Sequence, residues 1–311
     1  MTTTAASQDQ RLLSVAIPVY NFGAFLPETL DSVLDQALTK NVEVLVFDGG
    51  SSDNTLSVVR QYLKRYTNLR YVRALKKGGI DADMARSVEL VSAPYCWLFS
   101  GDDVMLPGAI ERVMESLKRW QPDLLLGRHN ECLVDMSVLR DWPVLDFAED
   151  KILDLYDPDD RRVYLDAARS SEAFFSFMGT LIVNRSRWFK YKPTSQFNGS
   201  NWAHIGRLWS MLNDPFKLVY LHDVLLHRRG GNDSFSNAGM LARLDIQING
   251  LLNVVEEIFP PPSPETYHLR RVIRSEVEPH WANAVRQDLL SRHAPQSDFL
   301  RLDEMLNRIR P

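Results

Sequence analysis

The first 125 residues alternate between two hydrophobic periodicities, and this alternation restricts the possible folds more than any other feature. Apolar runs typical of buried strands occupy residues 13–19, 42–47, 69–72 and 95–99. Between them, apolar residues recur at helical spacing over residues 26–37, 56–66 and 110–117. Strands that alternate with helices predict an α/β fold, Rossmann-like, with a mostly parallel sheet covered by helices.

Composition places the chain among ordinary globular proteins. Its 311 residues are 45% hydrophobic and 24% charged, which is enough apolar material for a large core. The net charge of −4 gives no reason to expect a nucleic acid as a partner. Cys96 and Cys132 do not form a disulfide framework and favour a reducing compartment. No stretch approaches the roughly 18 apolar residues of a membrane span. We therefore expect a cytoplasmic protein, or one peripheral to the inner face of the membrane.

Three polar clusters follow predicted strands at the point where each strand ends. They are Tyr20-Asn21, residues 48–53 (DGGSSD) and residues 100–103 (SGDD). In an open α/β sheet, ligands bind at the carboxyl ends of the strands, so these clusters are expected to meet at one edge. Each cluster also has a purely structural interpretation. Asp53 fits a helix N-cap, Gly49-Gly50 fits a tight turn, and SGDD fits a turn as well.

Four segments resemble a known family. They are VAIPVYN at 15–21, VFDGGSSDNT at 46–55, GGIDA at 78–82 and SGDD at 100–103. In order and spacing they resemble the nucleotide-sugar half of family 2 glycosyltransferases, which have the GT-A fold. Farther along, SFMGT at 176–180 and GSNWAHIGR at 199–207 look like the branch that includes bacterial abequosyltransferases. Members of that branch attach a dideoxyhexose during O-antigen assembly.

The chain is expected to have three parts. Residues 1–11 read as a disordered leader. By the resemblance, residues 12–239 form the GT-A domain, with a nucleotide-sugar half at 12–125 and an acceptor half at 126–239. Residues 240–311 are expected to be a helical C-terminal extension, because apolar residues recur there at helical spacing.

The resemblance implies a metal site in the SGDD segment. Transfer from a nucleoside diphosphate sugar leaves negative charge on the departing diphosphate, which a divalent cation, Mg²⁺ or Mn²⁺, stabilises. By its match to the family's Asp-X-Asp motif, Asp102 is the implied metal ligand and Asp103 belongs to the same site. Ser100 stands where the family has its first Asp, so one charge is missing. Its hydroxyl is expected to contact the ribose or a metal-bound water.

The resemblance also implies which residues bind the nucleotide sugar. They are Pro18, Tyr20, Asn21, Asp48, Asp81, Ser100 and Arg228. Asp48 is implied to hydrogen-bond the base, and Asp81 to close the same pocket. Gly49 stands where the family often has a second acid, which leaves the base unspecified. Arg228 or His227 is implied to reach the diphosphate, although this segment also fits a polar hairpin or a lid.

The catalytic base is the least defined part of the predicted site. Inverting transfer in this family is expected to use a carboxylate that removes the proton of the acceptor hydroxyl. Here Ser200-Asn201 replaces the family's acidic pair at the start of a predicted helix. His204 is expected to point away from the apolar stripe of that helix, so His204, with Asn201 beside it, is the predicted substitute. Asp135 and Glu172 are alternatives.

Together the motifs predict a metal-dependent inverting glycosyltransferase. Its donor would be a nucleoside diphosphate hexose or deoxyhexose, and its acceptor a glycan or a lipid-linked intermediate of surface polysaccharide. One alternative is a sugar nucleotidyltransferase, which usually has a Gly-rich basic loop where this chain has PVYNF at 18–22. Another is a non-catalytic homologue that binds nucleotide sugar or acts as a scaffold. The oligomeric state is left open.

Overall fold

A computed structural model describes residues 11–192, 195–232 and 239–310 of the chain. Residues 1–10 of the predicted leader lie outside the described residues. One ten-stranded sheet runs through the described part. Its strands are β1 (Leu13–Val19), β2 (Glu43–Asp48), β3 (Leu69–Arg73), β4 (Tyr95–Leu98), β5 (Val104–Met105), β6 (Leu124–Cys132), β7 (Val138–Trp142), β8 (Lys151–Asp154), β9 (Leu181–Asn184) and β10 (Lys217–Arg229).

Helices cover both faces of this sheet. They are α1 (Leu26–Thr39), α2 (Thr55–Leu63), α3 (Ile80–Leu90), α4 (Ala109–Trp120), α5 (Pro158–Ala167), α6 (Arg185–Lys190), α7 (Ala203–Ser210), α8 (Met240–Asp245), α9 (Leu251–Ile258), α10 (Pro264–Val277), α11 (His280–Ser291) and α12 (Gln296–Arg308). A π-helical turn at Ile246–Gly250 joins α8 to α9. Within the described ranges, no helix has both the length and the apolar character needed to cross a membrane.

The α/β architecture predicted for the first part of the chain is confirmed. Strands β1 to β4 begin and end within one residue of the four apolar runs. Helices α1, α2 and α4 occupy the three stretches with helical spacing. Helix α7 lies where the stripe after Asn201 indicates a helix. The prediction succeeds here because strands covered on both faces are apolar throughout, whereas their helices have only one buried face.

The sheet has a parallel half and a mixed half. Its strand order is β3-β2-β1-β4-β9-β6-β10-β5, with β7 paired to β6 and β8 paired to β10. Strands β3, β2, β1 and β4 are parallel to their neighbours in this series. Strand β9 is antiparallel to both β4 and β6, and β6 is parallel to β10. Strand β9 therefore joins the two halves of the sheet.

Strand β1 lies at the centre of the parallel half, and its register decides where polar groups meet. All seven of its residues are buried. Val19 pairs with Asp48 of β2, and Ala16 pairs with Leu98 of β4. The carboxyl ends of β1, β2 and β4 therefore lie side by side, as predicted. Pro18 fits in this central strand because it lies beyond the last pair with β4, where no ladder hydrogen bond needs its missing N–H.

The two faces of the sheet carry separate hydrophobic cores. One core packs α1, α2 and α4 against the sheet through Leu30, Val59 and Val113, which are fully buried. The other core contains residues from α7 to α12, among them Leu208 and Leu251. The C-terminal helices thus share a core with the sheet.

Trp209 of α7 is a central residue of this second core. Its side chain is 1% exposed. Its ring centroid lies 5.0 Å from that of Phe175 and 5.4 Å from that of Phe259. Phe175 precedes β9 and Phe259 follows α9, so the indole connects the C-terminal helices to the loop before β9. Burial of so large a ring makes Trp209 a major contributor to stability.

We expect Trp209→Ala to lower the free energy of unfolding by roughly 3–5 kcal/mol, because the variant loses the burial of the indole and leaves a cavity. Trp281→Ala is the control, since Trp281 is 36% exposed and its removal should cost much less. Urea denaturation followed by circular dichroism measures both variants. Equal losses in the two would contradict the central position of Trp209.

Candidate functional site

Asn21 ties together the loops that follow β1 and β2. Its backbone has a φ of 60°, in the left-handed region that Asn tolerates. Its N–H donates to Oγ of Ser51 at 2.8 Å, and its Oδ1 accepts from the N–H of Ser52 at 2.8 Å. These bonds fix one wall of the predicted nucleotide site, next to Tyr20. Contact between Asn21 and a ribose stays a prediction.

Asp48 lies beneath the turn after β2. Its side chain is fully buried. Oδ1 accepts from the N–H groups of Gly50 at 2.9 Å and Ser51 at 2.6 Å, and Oδ2 accepts from the hydroxyl of Tyr71. Burial raises the pKa of Asp48, but the hydrogen bonds from Tyr71 and Ser51 outweigh it and hold the pKa below its usual range. Both oxygens accept hydrogen bonds within the protein, so Asp48 shapes the turn, and its contact with a base stays a prediction.

Two residues that no sequence motif singled out complete this part of the site. Nζ of Lys77 lies 4.1 Å from the ring centroid of Tyr20, which is a cation–π contact. Asp83 of α3 is 6% exposed, and its Oδ2 occupies the space that a Cβ on Gly49 would need. An acid therefore does border position 49, although it comes from another part of the chain. Only a helix prediction over residues 80–90 combined with the sheet order could have found it.

The SGDD segment forms a short loop between β4 and β5. Gly101 is required there, because a Cβ would overlap the side chain of Val19. The hydroxyl of Ser100 donates to Oδ1 of Asp102, and the side-chain amide of Asn232 donates to Oδ2. Asp102 is partly exposed, so a ligand can reach it. Ser100 orients Asp102 here, and its predicted contact with a ribose or a metal-bound water stays a prediction.

Asp103 is buried behind Asp102. Its side chain is 1% exposed, and its Oδ1 accepts from the N–H of Arg229 at 2.9 Å. Its Oδ2 is buried and has no hydrogen-bond partner among the described residues. Burial and then the neighbouring Asp102 raise the pKa of Asp103 well above its usual range. A buried carboxylate oxygen beside a second carboxylate is stabilised by a proton or by a cation.

The oxygen atoms of this loop fit a hard divalent cation. Carboxylates of Asp102 and Asp103 and the hydroxyl of Ser100 are the kind of ligand that Mg²⁺ and Mn²⁺ prefer. The described residues contain no cluster of three or more His, Cys, Asp or Glu side chains suited to a metal. Mg²⁺ often binds through only one or two carboxylates together with substrate phosphates. The loop therefore suits a cation whose coordination a diphosphate completes.

Arg229 holds the SGDD loop in place. The sequence instead singled out its neighbours, Arg228 and His227. Its Nε donates to the backbone carbonyl of Asp102 at 2.8 Å, and its guanidinium pairs with Glu28 of α1. The guanidinium also lies 5.0 Å from the ring centroid of Phe25. Because Arg229 is only 6% exposed, it is a positioning residue.

Arg228 faces a different, buried group of side chains. Its Nη1 lies 3.5 Å from Oε1 of Glu172, and Oε2 of Glu172 lies 2.7 Å from Nε2 of His129. The side chain of Arg228 is 34% exposed, so the predicted diphosphate contact is open to it. His227 instead lies with its Nδ1 3.3 Å from the sulfur of Cys132.

Asp81 connects α3 to the start of α7. Its Oδ2 accepts from the N–H groups of Gly199 at 2.9 Å and Asn201 at 3.0 Å, and its Oδ1 accepts from the N–H of Ala203 at 3.0 Å. A carboxylate in this position satisfies free N–H groups and complements the helix dipole. Asp81 therefore positions the loop before α7, and its place in the nucleotide pocket stays a prediction.

The predicted orientation of His204 is wrong. The side chain is 5% exposed, and Nε2 donates to the carbonyl of Phe175 at 3.0 Å. Burial lowers the pKa of His204 to about 4. A buried imidazole with so low a pKa is unsuited to take a proton from the acceptor hydroxyl. Asn201 lines an open cleft of about 540 Å³ with Asn249 and Asn253, but an amide is not a base.

Residues 14–139 match the model of the family described as Glycosyl transferase family 2. The matched stretch carries both the turn after β2 and the SGDD loop. These residues belong to glycosyl transferase family 2.

Similarity to known proteins extends beyond the family 2 domain. Abequosyltransferase RfbV of Salmonella typhimurium is 27% identical over 255 residues, which cover 80% of this chain and 75% of that protein. Glycosyltransferase GlyG of Streptococcus pneumoniae is 25% identical over 118 residues, which cover 38% of this chain and 39% of that protein. Residues 14–139 thus match family 2, and the chain resembles an abequosyltransferase over most of its length, as the motifs predicted.

Solved structures share the fold of nearly the whole chain. TarS 1-349 of S. aureus in complex with UDP has a TM-score of 0.64 at 15% identity, with 96% of this chain and 80% of that chain covered. Mannosyltransferase PcManGT from Pyrobaculum calidifontis, in complex with GDP-Man and Mn²⁺, has a TM-score of 0.58 at 13% identity, with 97% and 86% covered. The predicted GT-A fold with a helical C-terminal region is confirmed.

We expect His204→Gln to change how stability depends on pH. The folded-state pKa of about 4 lies below the ordinary value of 6.5, so between these values the unfolded chain binds a proton that the folded chain does not. From pH 7 to pH 5, His204 should therefore remove roughly 2 kcal/mol of stability from the wild type and none from the variant. Urea denaturation at both pH values measures the difference between the two proteins. A difference that is independent of pH would contradict a buried, neutral His204.

Proposed function

We propose that the chain transfers a hexose or deoxyhexose, with inversion, from a nucleoside diphosphate sugar to an acceptor in surface polysaccharide biosynthesis. Membership of residues 14–139 in glycosyl transferase family 2 supports sugar transfer. Similarity to a protein named as an abequosyltransferase supports a deoxyhexose donor. The observation that carries the proposal is the partly exposed Asp102 at the carboxyl end of β4, beside the turns after β1 and β2.

Use of a divalent cation is part of this proposal. It is supported by the unpartnered Oδ2 of Asp103 and by the oxygen atoms around Asp102. When bound, the cation would supply Lewis-acid stabilisation of the charge on the leaving diphosphate. Arg228 would add a planar guanidinium, which suits phosphate oxygens, from the exposed part of its side chain.

A lipid-linked or glycan acceptor is supported by the hairpin of β6 and β7. Leu133, Val134, Val138 and Leu139 are each between 50% and 57% exposed on this hairpin. A group of exposed apolar side chains suits contact with a lipid or with the apolar face of a sugar. We propose that the acceptor approaches the site along this hairpin.

Asp135 is our proposal for the general base. The other three candidates are unsuited, because His204 and Glu172 are buried and Asn201 is not basic. Asp135 is exposed in the turn between β6 and β7, and hydrogen bonds from Ser137 hold its pKa below the usual range, so it is ionised at neutral pH. The residue before it, Val134, accepts a hydrogen bond from the same Arg229 side chain that holds the SGDD loop.

We expect the wild type to bind at least one of UDP, GDP, CDP and dTDP in a thermal-shift titration, more tightly with Mn²⁺. Asp102→Asn should weaken the Mn²⁺-dependent binding by about tenfold or more, because a hard cation loses a charged ligand. Asp146→Asn is the matched control, since Asp146 is exposed and paired with Arg169. A lack of any shift with all four nucleotides, or full Mn²⁺ enhancement in Asp102→Asn, would contradict the proposal.

We expect Asp135→Asn to lower turnover by about 10²- to 10⁴-fold, the usual contribution of a general base. Nucleotide affinity should not change, because the proposed base acts on the acceptor. Release of nucleoside diphosphate from the donor, with a lipid extract of O-antigen-producing cells as acceptor source, measures turnover. Asp146→Asn should behave as the wild type. Normal turnover in Asp135→Asn would exclude Asp135 as the base, and nucleotide binding without any transfer by the wild type would favour the non-catalytic alternative.

A further inference from the structure

An open cleft of about 540 Å³ lies between the loop before α7 and the C-terminal helices α8 and α9. Gln196 and Asn201 line it from the loop, and Asn249 and Asn253 line it from the C-terminal side. Its volume is in the usual range of ligand sites. All of its lining residues lie beyond residue 139, so the cleft is separate from the stretch that matches family 2.

The cleft is lined with groups that suit hydroxyls. Among its lining side chains are four amides and two acids: Gln196, Asn201, Asn249, Asn253, Asp245 and Glu257. An amide both donates and accepts hydrogen bonds, as a hydroxyl does. A phosphate or carboxylate ligand would meet acids there, and no Lys, Arg or His is among the described residues that line the cleft. The lining therefore favours an uncharged ligand rich in hydroxyls, which is the chemistry of a sugar.

One wall of the cleft is the π-helical turn at Ile246–Gly250. A π-helical turn is rare and is found frequently at functional sites. Contacts on two sides hold this one in place. The indole Nε1 of Trp202 donates to the carbonyl of Ile246 at 2.9 Å, and Nε2 of Gln247 donates to Glu276 at 2.9 Å. The wall is thus fixed before a ligand binds.

The amides of the cleft differ in what they offer to a ligand. Asn249 donates to Asp245 at 2.6 Å and accepts from Arg308 at 2.8 Å, so its amide is oriented by the protein. Asn253 is exposed on α9, and Asn201 is partly exposed in the loop before α7. Asn201 and Asn253 are therefore the amides that a ligand reaches most easily.

Helix α3 connects the cleft to the candidate site. Asp81, in the first turn of α3, accepts from the N–H of Asn201 at 3.0 Å. Lys77, four residues earlier, contacts the ring of Tyr20 at the carboxyl end of β1. The same helix packs against both β1 and α7. A ligand in the cleft therefore lies next to the helix that borders the donor half.

We propose that this cleft binds uncharged sugar residues of the acceptor glycan, whose hydroxyls contact the amides of Asn201 and Asn253. The C-terminal helices thus help to select the acceptor. The cleft and the hairpin of β6 and β7 are two contacts on one extended acceptor. This inference rests on the proposed function and names the class of acceptor group that the chain recognises.

Saturation-transfer NMR with soluble oligosaccharides tests the cleft without any donor. Neutral oligosaccharides of hexoses and deoxyhexoses should bind the wild type, whereas oligosaccharides of uronic acids should not, because acids line the cleft. Asn253→Trp puts a large ring into the cleft from an exposed helical position, so it should abolish binding. Asn283→Trp, at an exposed position of α11 outside the cleft, is the control and should bind as the wild type does.

Asn253→Ala tests the same amide during transfer. Loss of one hydrogen bond to an uncharged group should raise the half-saturating amount of the lipid-extract acceptor about 3- to 10-fold. Maximal turnover and Mn²⁺-dependent nucleotide affinity should not change, because the amide contacts neither the reacting atoms nor the donor. Asn283→Ala should match the wild type in all three quantities.

Sugar binding and acceptor saturation that are the same in the Asn253 and Asn283 variants would overturn the cleft as an acceptor site. Absence of oligosaccharide binding by the wild type, or a preference for uronic acids, would overturn it as well. A wild type that binds neutral oligosaccharides but none of UDP, GDP, CDP and dTDP would instead overturn the proposed function and leave a sugar-binding cleft.

Discussion

The geometry of the candidate site depends on one buried cation, Arg229. Its backbone N–H and its Nε hold Asp103 and Asp102, and the rest of its guanidinium contacts Glu28 and the carbonyl of Val134. One side chain thereby connects β10, the SGDD loop, α1 and the turn between β6 and β7. Removing a partner from a buried guanidinium is strongly destabilising, so these segments are held in one arrangement. The site is therefore largely formed before any ligand binds.

The acids at this edge of the sheet differ in how their oxygens are satisfied. Asp48 and Asp81 are satisfied by backbone N–H groups or a tyrosine hydroxyl, so they shape the turns that carry the site. Asp103 is buried with one unpartnered oxygen, and burial raises the pKa of both Asp103 and Asp83. Asp102 is reachable and already oriented by neutral donors. Asp48 and Asp81 thus provide rigidity, whereas the buried oxygen of Asp103 is left for a cation or a proton to satisfy.

The sequence predicted β1 to β4 and the edge where Asp48 and Asp102 lie, because strands buried on both faces leave continuous apolar runs. It did not predict the direction of His204. A helical stripe identifies one buried face, whereas α7 is buried from Ala203 through Trp209 because α9 packs on it as well. The contacts of Asp83 and Arg229 are with residues that are distant in sequence, so no local sequence pattern predicts them.

Ser100 changes the balance of charge at the SGDD loop, the proposed metal site. A serine hydroxyl and the amide of Asn232 both donate to Asp102, so this carboxylate is neutralised in part by hydrogen bonds. A second carboxylate at position 100 would repel Asp102 and attract a cation on its own. With Ser100, a bound cation would compete with two hydrogen bonds for one accessible carboxylate, while Asp103 lies behind it. Phosphate oxygens would then be a necessary part of its coordination, which would link cation binding to nucleotide binding at this site.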